Sequence, residues 1–424
     1  MKIHLRNGRL IDPKHGIDAT QDLFIAAGKV VGIGRTPDGF TANRTIDAAG
    51  LIVAPGLVDL AARLREPGFE YKATLESEML AAVAGGVTSL ACPPDTDPPL
   101  DEPGLVEMLK HRAKSLNLAH VYPLGALTVG LGGERITEMA ELSEAGCVAF
   151  SHADHAITDN LVLLRALQYA ATFDFAVWLR PQDAFLSKGG VAHDGEVATR
   201  LGLAGIPACA ETIAISTMLH LAKVSGVRLH FCRISSAAGL DLVRAAKREG
   251  LRITCDVAIH HAHLSDIDIG YFDSHCNLVP PLRSLRDRDA LRAGLADGTV
   301  DALCSDHSPV DEDAKLMPFG EAEAGATGLE LLLPLTLKWA RETKVELAAA
   351  LARITAQPAA ILGIDAGHLA VGLSADICVF DPELHWKVDA TALKSQGKNT
   401  PFLGYEVPGK VRYTLVEGHV VFEA

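Results

Sequence analysis

The chain has 424 residues, 48% hydrophobic and 22% charged, with 39 Lys and Arg against 53 Asp and Glu and a formal net charge of -14. This is the composition of a globular protein too long for one small core. Its acidity excludes the basic stripe of a nucleic-acid binder, and no run of about 18 apolar residues offers a membrane span.

The first residues, Met1-Lys2-Ile3-His4-Leu5-Arg6-Asn7-Gly8, lack the apolar core of a signal peptide. The eight cysteines are scattered singly, the pattern of reduced thiols in a cytoplasmic chain. Short alternating runs follow at Lys2–Leu5, Leu23–Ala26, Lys29–Ile33 and Thr45–Ala48. With turns at Asn7-Gly8 and Ala27-Gly28, they predict hairpins of a small β unit. The far end repeats the pattern: Ala375–Asp381 and Val411–Leu415 read as strands, and Val416–Val421 as a final hairpin. Together the ends predict one discontinuous β-sandwich domain, residues 1–53 plus 366–424.

The middle, residues 54–365, alternates apolar strands with helical stretches. The predicted strands are Leu51–Val58, Val87–Cys92, His120–Leu127, Cys147–Ser151, Phe175–Leu179, Val227–Arg233, Ile253–Ala258 and Val300–Cys304. Helical periodicity falls between them, as in Glu211–Val224, Ala237–Arg248 and Arg286–Ala296. Eight such repeats predict an α/β fold, a (β/α)8 TIM barrel, whose nearly unbroken apolar strands suit a parallel sheet covered on both faces.

The first predicted barrel strand breaks into Asp59-Leu60-Ala61-Ala62-Arg63-Leu64-Arg65-Glu66-Pro67-Gly68. This stretch resembles the Asp-x-His-x-His-x-Arg-Glu-Pro-Gly signature of cyclic amidohydrolases, most closely dihydroorotase. Pro280-Pro281-Leu282-Arg283, Asp306-His307-Ser308-Pro309, Pro318-Phe319-Gly320 and Asn399-Thr400-Pro401-Phe402-Leu403-Gly404-Tyr405 also match that family. The resemblance implies a site at the carboxyl ends of the strands, where a zinc pair activates the hydroxide that opens a cyclic amide.

The positions that hold metal in the family are altered here. Ala61 and Arg63 stand where two histidines would, His152 where a bridging carboxylate or carboxylated lysine would, and Arg180 and Arg233 where two further histidines would. Asp306, the family's general base, is retained. Guanidinium has no lone pair and stays protonated. Near a divalent ion it repels: like unit charges about 5 Å apart cost about 3 kcal/mol at an effective dielectric near 20. The substrate positions are altered as well, with Asp95, Val279 and Val310 replacing two asparagines and a histidine, while Arg65 and His307 survive as vestiges. No metal cofactor is expected from this set.

Other readings of these side chains stay open. Arg63, Arg180 and Arg233 would pair with Asp59, Asp95 and Asp306, filling the old cavity, or would bind an anion. His152 and His155 with Asp306 would make an improvised single-metal site. His260, His261 and His263 read as structural or surface residues, Trp178 as packing, and Glu321-Ala322-Glu323 as a solvated loop. The resemblance implies a non-catalytic dihydroorotase-like protein of pyrimidine biosynthesis. Its implied role is structural partner of aspartate carbamoyltransferase, in a homo-oligomer or hetero-assembly. The alternatives are an active zinc-dependent dihydroorotase or related cyclic amidohydrolase with a rearranged site, and an anion-binding module.

Overall fold

A computed structural model describes all 424 residues. Eight strands form one parallel sheet in chain order: β1 (Leu57–Asp59), β2 (Val87–Cys92), β3 (His120–Ala126), β4 (Ala149–Ser151), β5 (Ala176–Leu179), β6 (Arg228–Phe231), β7 (Ile253–Ala258) and β8 (Ala302–Cys304). Helices intervene, among them Leu75–Ala84, Pro103–Leu116, Asn160–Thr172, Cys209–Ser225, Ala237–Arg248 and Leu285–Asp297. This is the (β/α)8 architecture that the apolar runs predict.

No ladder joins β1 to β8. At the base, the Val58 amide donates to the Ile354 carbonyl at 2.8 Å and the Leu303 amide to Arg353 at 3.0 Å. At the mouth, the His307 amide donates to the Ala61 carbonyl and the Arg63 amide to the His307 carbonyl, both at 2.9 Å. Asp59 adds a buried bolt, accepting from the Ser305 amide and hydroxyl, each at 2.6 Å. The barrel interior is built largely from small residues (Ala91, Ala149, Ala176, Ala258, Ala302) around one large one, Trp178. The Trp178 ring lies 4.7 Å from that of His230, which fits its reading as packing.

The two ends of the chain build a four-stranded and a six-stranded sheet, and one apolar cluster takes Ile3, Leu5 and Ile25 from the first and Leu10, Val379 and Leu415 from the second. Ala27-Gly28 turns a hairpin, both residues having positive φ (49° and 79°). Asn7-Gly8 does not: Lys2–Arg6 and Arg9–Asp12 lie in different sheets, so the turn carries the chain across the sandwich.

Leu51–Val58, predicted as one strand, is two. Ile52–Pro55 pairs with Ile377–Lys387 in the six-stranded sheet, and β1 starts after Gly56. A Cβ on Gly56 would fall 2.1 Å from Thr88 Oγ1, so only glycine lets the chain pass from one sheet to the other there. The predicted Val227–Arg233 ends early, at Phe231, because Arg233 takes a left-handed φ of 56° that no strand continues.

Candidate functional site: an arginine–aspartate layer in the barrel mouth

The loop after β1 keeps its Arg-Glu-Pro-Gly frame for reasons of its own. Glu66 accepts from the Leu75 amide at 2.8 Å, which caps helix Leu75–Ala84, and it pairs with Arg112. Gly68 has φ of 96°, and a Cβ there would lie 2.2 Å from the Asp97 carbonyl. Arg65 donates through Nε to the Pro309 carbonyl at 2.8 Å, which ties the loop after β1 to the loop after β8.

Arg63 is buried and reaches across the mouth. Its Nε donates to Asp95 at 2.7 Å, one terminal nitrogen to Asp154 at 2.6 Å, and the other to Ser308 at 2.9 Å, with Asp306 3.5 Å away. Arg233, equally buried, donates to Asp154 at 2.5 Å and to Asp306 at 2.9 Å. Arg180 donates to the Asp154 carbonyl at 3.0 Å and to Gln182. Its Nε lies 2.6 Å from the Asp154 carboxylate, too far off line for a hydrogen bond. Three guanidiniums thus face three carboxylates, and Asp154 binds all three.

The charges follow from this packing. Burial alone would raise the Asp154 carboxyl, but the charges of Arg233, Arg63 and Arg180 overcome it and hold it well below the usual carboxylate range. Burial pushes Asp306 up to about 6 against the pull of Arg233 and Arg63. A carboxyl of that kind still receives hydrogen bonds from the guanidiniums, but its charge is expensive to keep.

The reading of the arginines as ion-pair partners needs one correction. Asp59, expected as a partner, is used by Ser305 instead, and the hub is Asp154. Asp154 could have been found by charge balance: three arginines at strand ends with two matched carboxylates leave one guanidinium unpaired, and Asp154 sits just past β4.

The histidines of the mouth are also spoken for. Gly133 donates to Thr128, whose hydroxyl sits 2.7 Å from His152 Nε2, while His152 Nδ1 donates to the His155 carbonyl at 2.8 Å. The lone pair that His152 would offer a metal is therefore taken by Thr128. His307 Nδ1 accepts from the Gly328 amide at 3.1 Å, so its Nε2 donates to buried Glu78, 2.5 Å away. Neither nitrogen of His307 is left for a substrate. Arg65 keeps terminal nitrogens without a protein acceptor.

His261 and His263 bond backbone carbonyls at Pro280 and Leu335, at 3.1 and 2.9 Å. His260 stacks against Phe402, and burial pushes it down to about 3, leaving it neutral. His260 and His261 are buried, and His263 is half-buried. Glu323 is less free than a solvated loop would make it, because Lys72 pairs with it at 2.5 Å.

The ligand types closest together are elsewhere, inside the barrel: His230, Cys232 and Asp256, with donor atoms within 4.8 Å of one another. His230 and Asp256 are satisfied by each other and by their neighbours. His230 bonds Asp256 at 3.0 Å and Thr254 at 2.9 Å, and the Arg233 amide donates to Asp256 at 2.6 Å. At the mouth, Ala61, Arg63, Arg180 and Arg233 supply no lone pair, and the carboxylates of Asp154 and Asp306 are occupied by guanidinium. This donor set does not fit a zinc pair.

The barrel, its mouth-side loops and the two terminal sheets define the class, an amidohydrolase-superfamily (β/α)8 protein. A family model described as dihydro-orotase-like matches residues 50–238, and an amidohydrolase family model matches residues 210–422. A dihydroorotase-like protein of Pseudomonas aeruginosa is 48% identical, covering 100% of both chains. A dihydroorotase-like protein of Pseudomonas putida is 47% identical over 99% of each, and a dihydroorotase of Geobacter sp. (strain M21) is 42% identical over 100% of each. Among solved structures, L-hydantoinase (dihydropyrimidinase) from Arthrobacter aurescens matches with a TM-score of 0.89 at 27% identity, covering 99% of this chain and 96% of that one. The chain belongs to the dihydroorotase-like family. No helix in it is long and apolar enough to cross a membrane.

Proposed function

We propose that this chain is a non-catalytic dihydroorotase-like protein of pyrimidine biosynthesis, holding no metal cofactor and serving as a structural partner of aspartate carbamoyltransferase. One observation supports the non-catalytic half of this reading: Arg63, Arg180 and Arg233, at positions where the resembled family has metal ligands, are ion-paired with Asp95, Asp154 and Asp306. Water activation by a metal is incompatible with three fixed cations at the same place. The partner half is supported by the resemblance alone. It is tested by mixing the purified chain with aspartate carbamoyltransferase and measuring sedimentation. The reading expects one larger species containing both chains; two independently sedimenting proteins would overturn it.

A second reading, an active cyclic amide hydrolase with a rearranged site, is favoured by relatives that carry the name dihydroorotase over their full length at 39–42% identity. It requires that Asp306 and other side chains bind metal after the guanidiniums move aside.

A further inference from the structure

Two loops at the barrel mouth, after β7 and after β8, place apolar side chains in solvent. Tyr271 is 93% exposed, Leu316 77%, Ile267 52%, Met317 47% and Phe272 39%. The loops are one built surface. Buried Lys315 donates to the carbonyls of Ser274 at 3.1 Å and Asn277 at 3.3 Å, and the Ser274 hydroxyl donates back to Lys315. The Asn277 side chain fixes the same pair of loops by donating to Phe319 and Ala322 at 3.0 and 2.8 Å. Tyr271 and Phe272 stack edge to face with centroids 5.5 Å apart. Exposed aromatic and aliphatic groups held on a braced base are the usual centre of a protein interface.

The rim identifies the occupant. Asp268, Asp273, Glu312, Asp313 and Glu321 are all exposed on these loops. The one lysine among them, Lys315, is buried and spent on carbonyls, and burial pushes it down to about 8. An acidic ring repels a second copy of a chain whose net charge is -14, and it repels an anionic membrane surface as well. It suits an apolar protein surface bordered by lysine and arginine.

We infer that the Tyr271–Leu316 face is a docking surface for a different protein chain with an apolar centre and a basic border. The inference rests on the scaffold reading above and adds the surface by which the scaffold holds its partner. The test titrates the full-length chain against purified aspartate carbamoyltransferase, comparing wild type with Tyr271→Asp, Leu316→Asp and Phe185→Asp. Phe185, 78% exposed on the loop after β5, is the control. All three sites are exposed, and unchanged melting temperatures verify folding. The expected result is a dissociation constant weakened roughly thirtyfold by Tyr271→Asp or Leu316→Asp, with Phe185→Asp binding as the wild type does. Wild-type binding by both face variants overturns the inference and leaves the scaffold reading intact. A wild-type chain that never binds the transferase overturns both. Self-association abolished by Tyr271→Asp overturns the stated occupant, since the face would then serve a second copy.

Discussion

The residue that decides the character of the barrel mouth is Asp154. Three guanidiniums share its carboxylate, and although 31% of its side chain remains exposed, the partners Arg63, Arg180 and Arg233 are buried. Removing one member of a buried ion network leaves the others uncompensated, which costs about 3–5 kcal/mol. Asp154→Asn should therefore lower the free energy of urea unfolding by an amount in that range. A loss below about 1 kcal/mol would mean that the layer is no more than a surface-type cluster. Asp306 makes a different prediction. Its folded carboxyl, at about 6, lies above the ordinary 3.8, so between those values the native state binds more protons than the unfolded one. Its contribution is fully present below about 4 and is lost as the pH rises through about 6. Relative to Asp306→Asn, the wild type should lose about 1–3 kcal/mol across that window. A flat or rising difference would contradict the buried, raised carboxyl. How much of this was legible in the sequence differs by residue. That Ala61, Arg63, Arg180 and Arg233 offer no lone pair was readable, because it depends on residue type alone. The hub was not, because which aspartate an arginine meets depends on where four different loops converge. The Glu78–His307 pair was hidden for the same reason, joining residues 229 apart in the chain.

At the scale of elements, the apolar runs located all eight barrel strands, but the boundary between barrel and terminal sheet was hidden inside one of them. Ile52–Pro55 and the Leu57-Val58 start of β1 are both fully buried and apolar, so periodicity alone does not separate them. What separates them is the close pass at Gly56, a contact with Thr88 that lies 32 residues away in sequence. Gly56→Ala puts a methyl group into that contact and should cost about 1–3 kcal/mol. Gly104→Ala is the control, because a Cβ there meets nothing within 4 Å and alanine favours helix Pro103–Leu116. Thermal melting that leaves Gly56→Ala at the wild-type midpoint would show that the crossover has room to spare. The Arg-Glu-Pro-Gly loop illustrates a related point. Its residues each have a structural task in this fold: Glu66 caps a helix, Gly68 clears a carbonyl and Arg65 joins two loops.

At the scale of the molecule, the barrel closes through Asp59, Ser305 and the Ala61–His307 backbone contacts, and the sandwich made by both termini packs its own core beside it. Fold and mouth are therefore held by different groups, the barrel by Asp59 and backbone contacts and the mouth by the arginine–aspartate ion pairs, which is the basis of the proposal that the chain holds no metal pair and turns nothing over. The most direct measurement of that claim is zinc content and dihydroorotate hydrolysis on one purified, zinc-supplemented sample. The account predicts near-zero zinc and no turnover. About one or two zinc ions per chain, with turnover lost in Asp306→Ala or His152→Ala, would contradict it, since the arginine layer would then have to open and yield its carboxylates to metal.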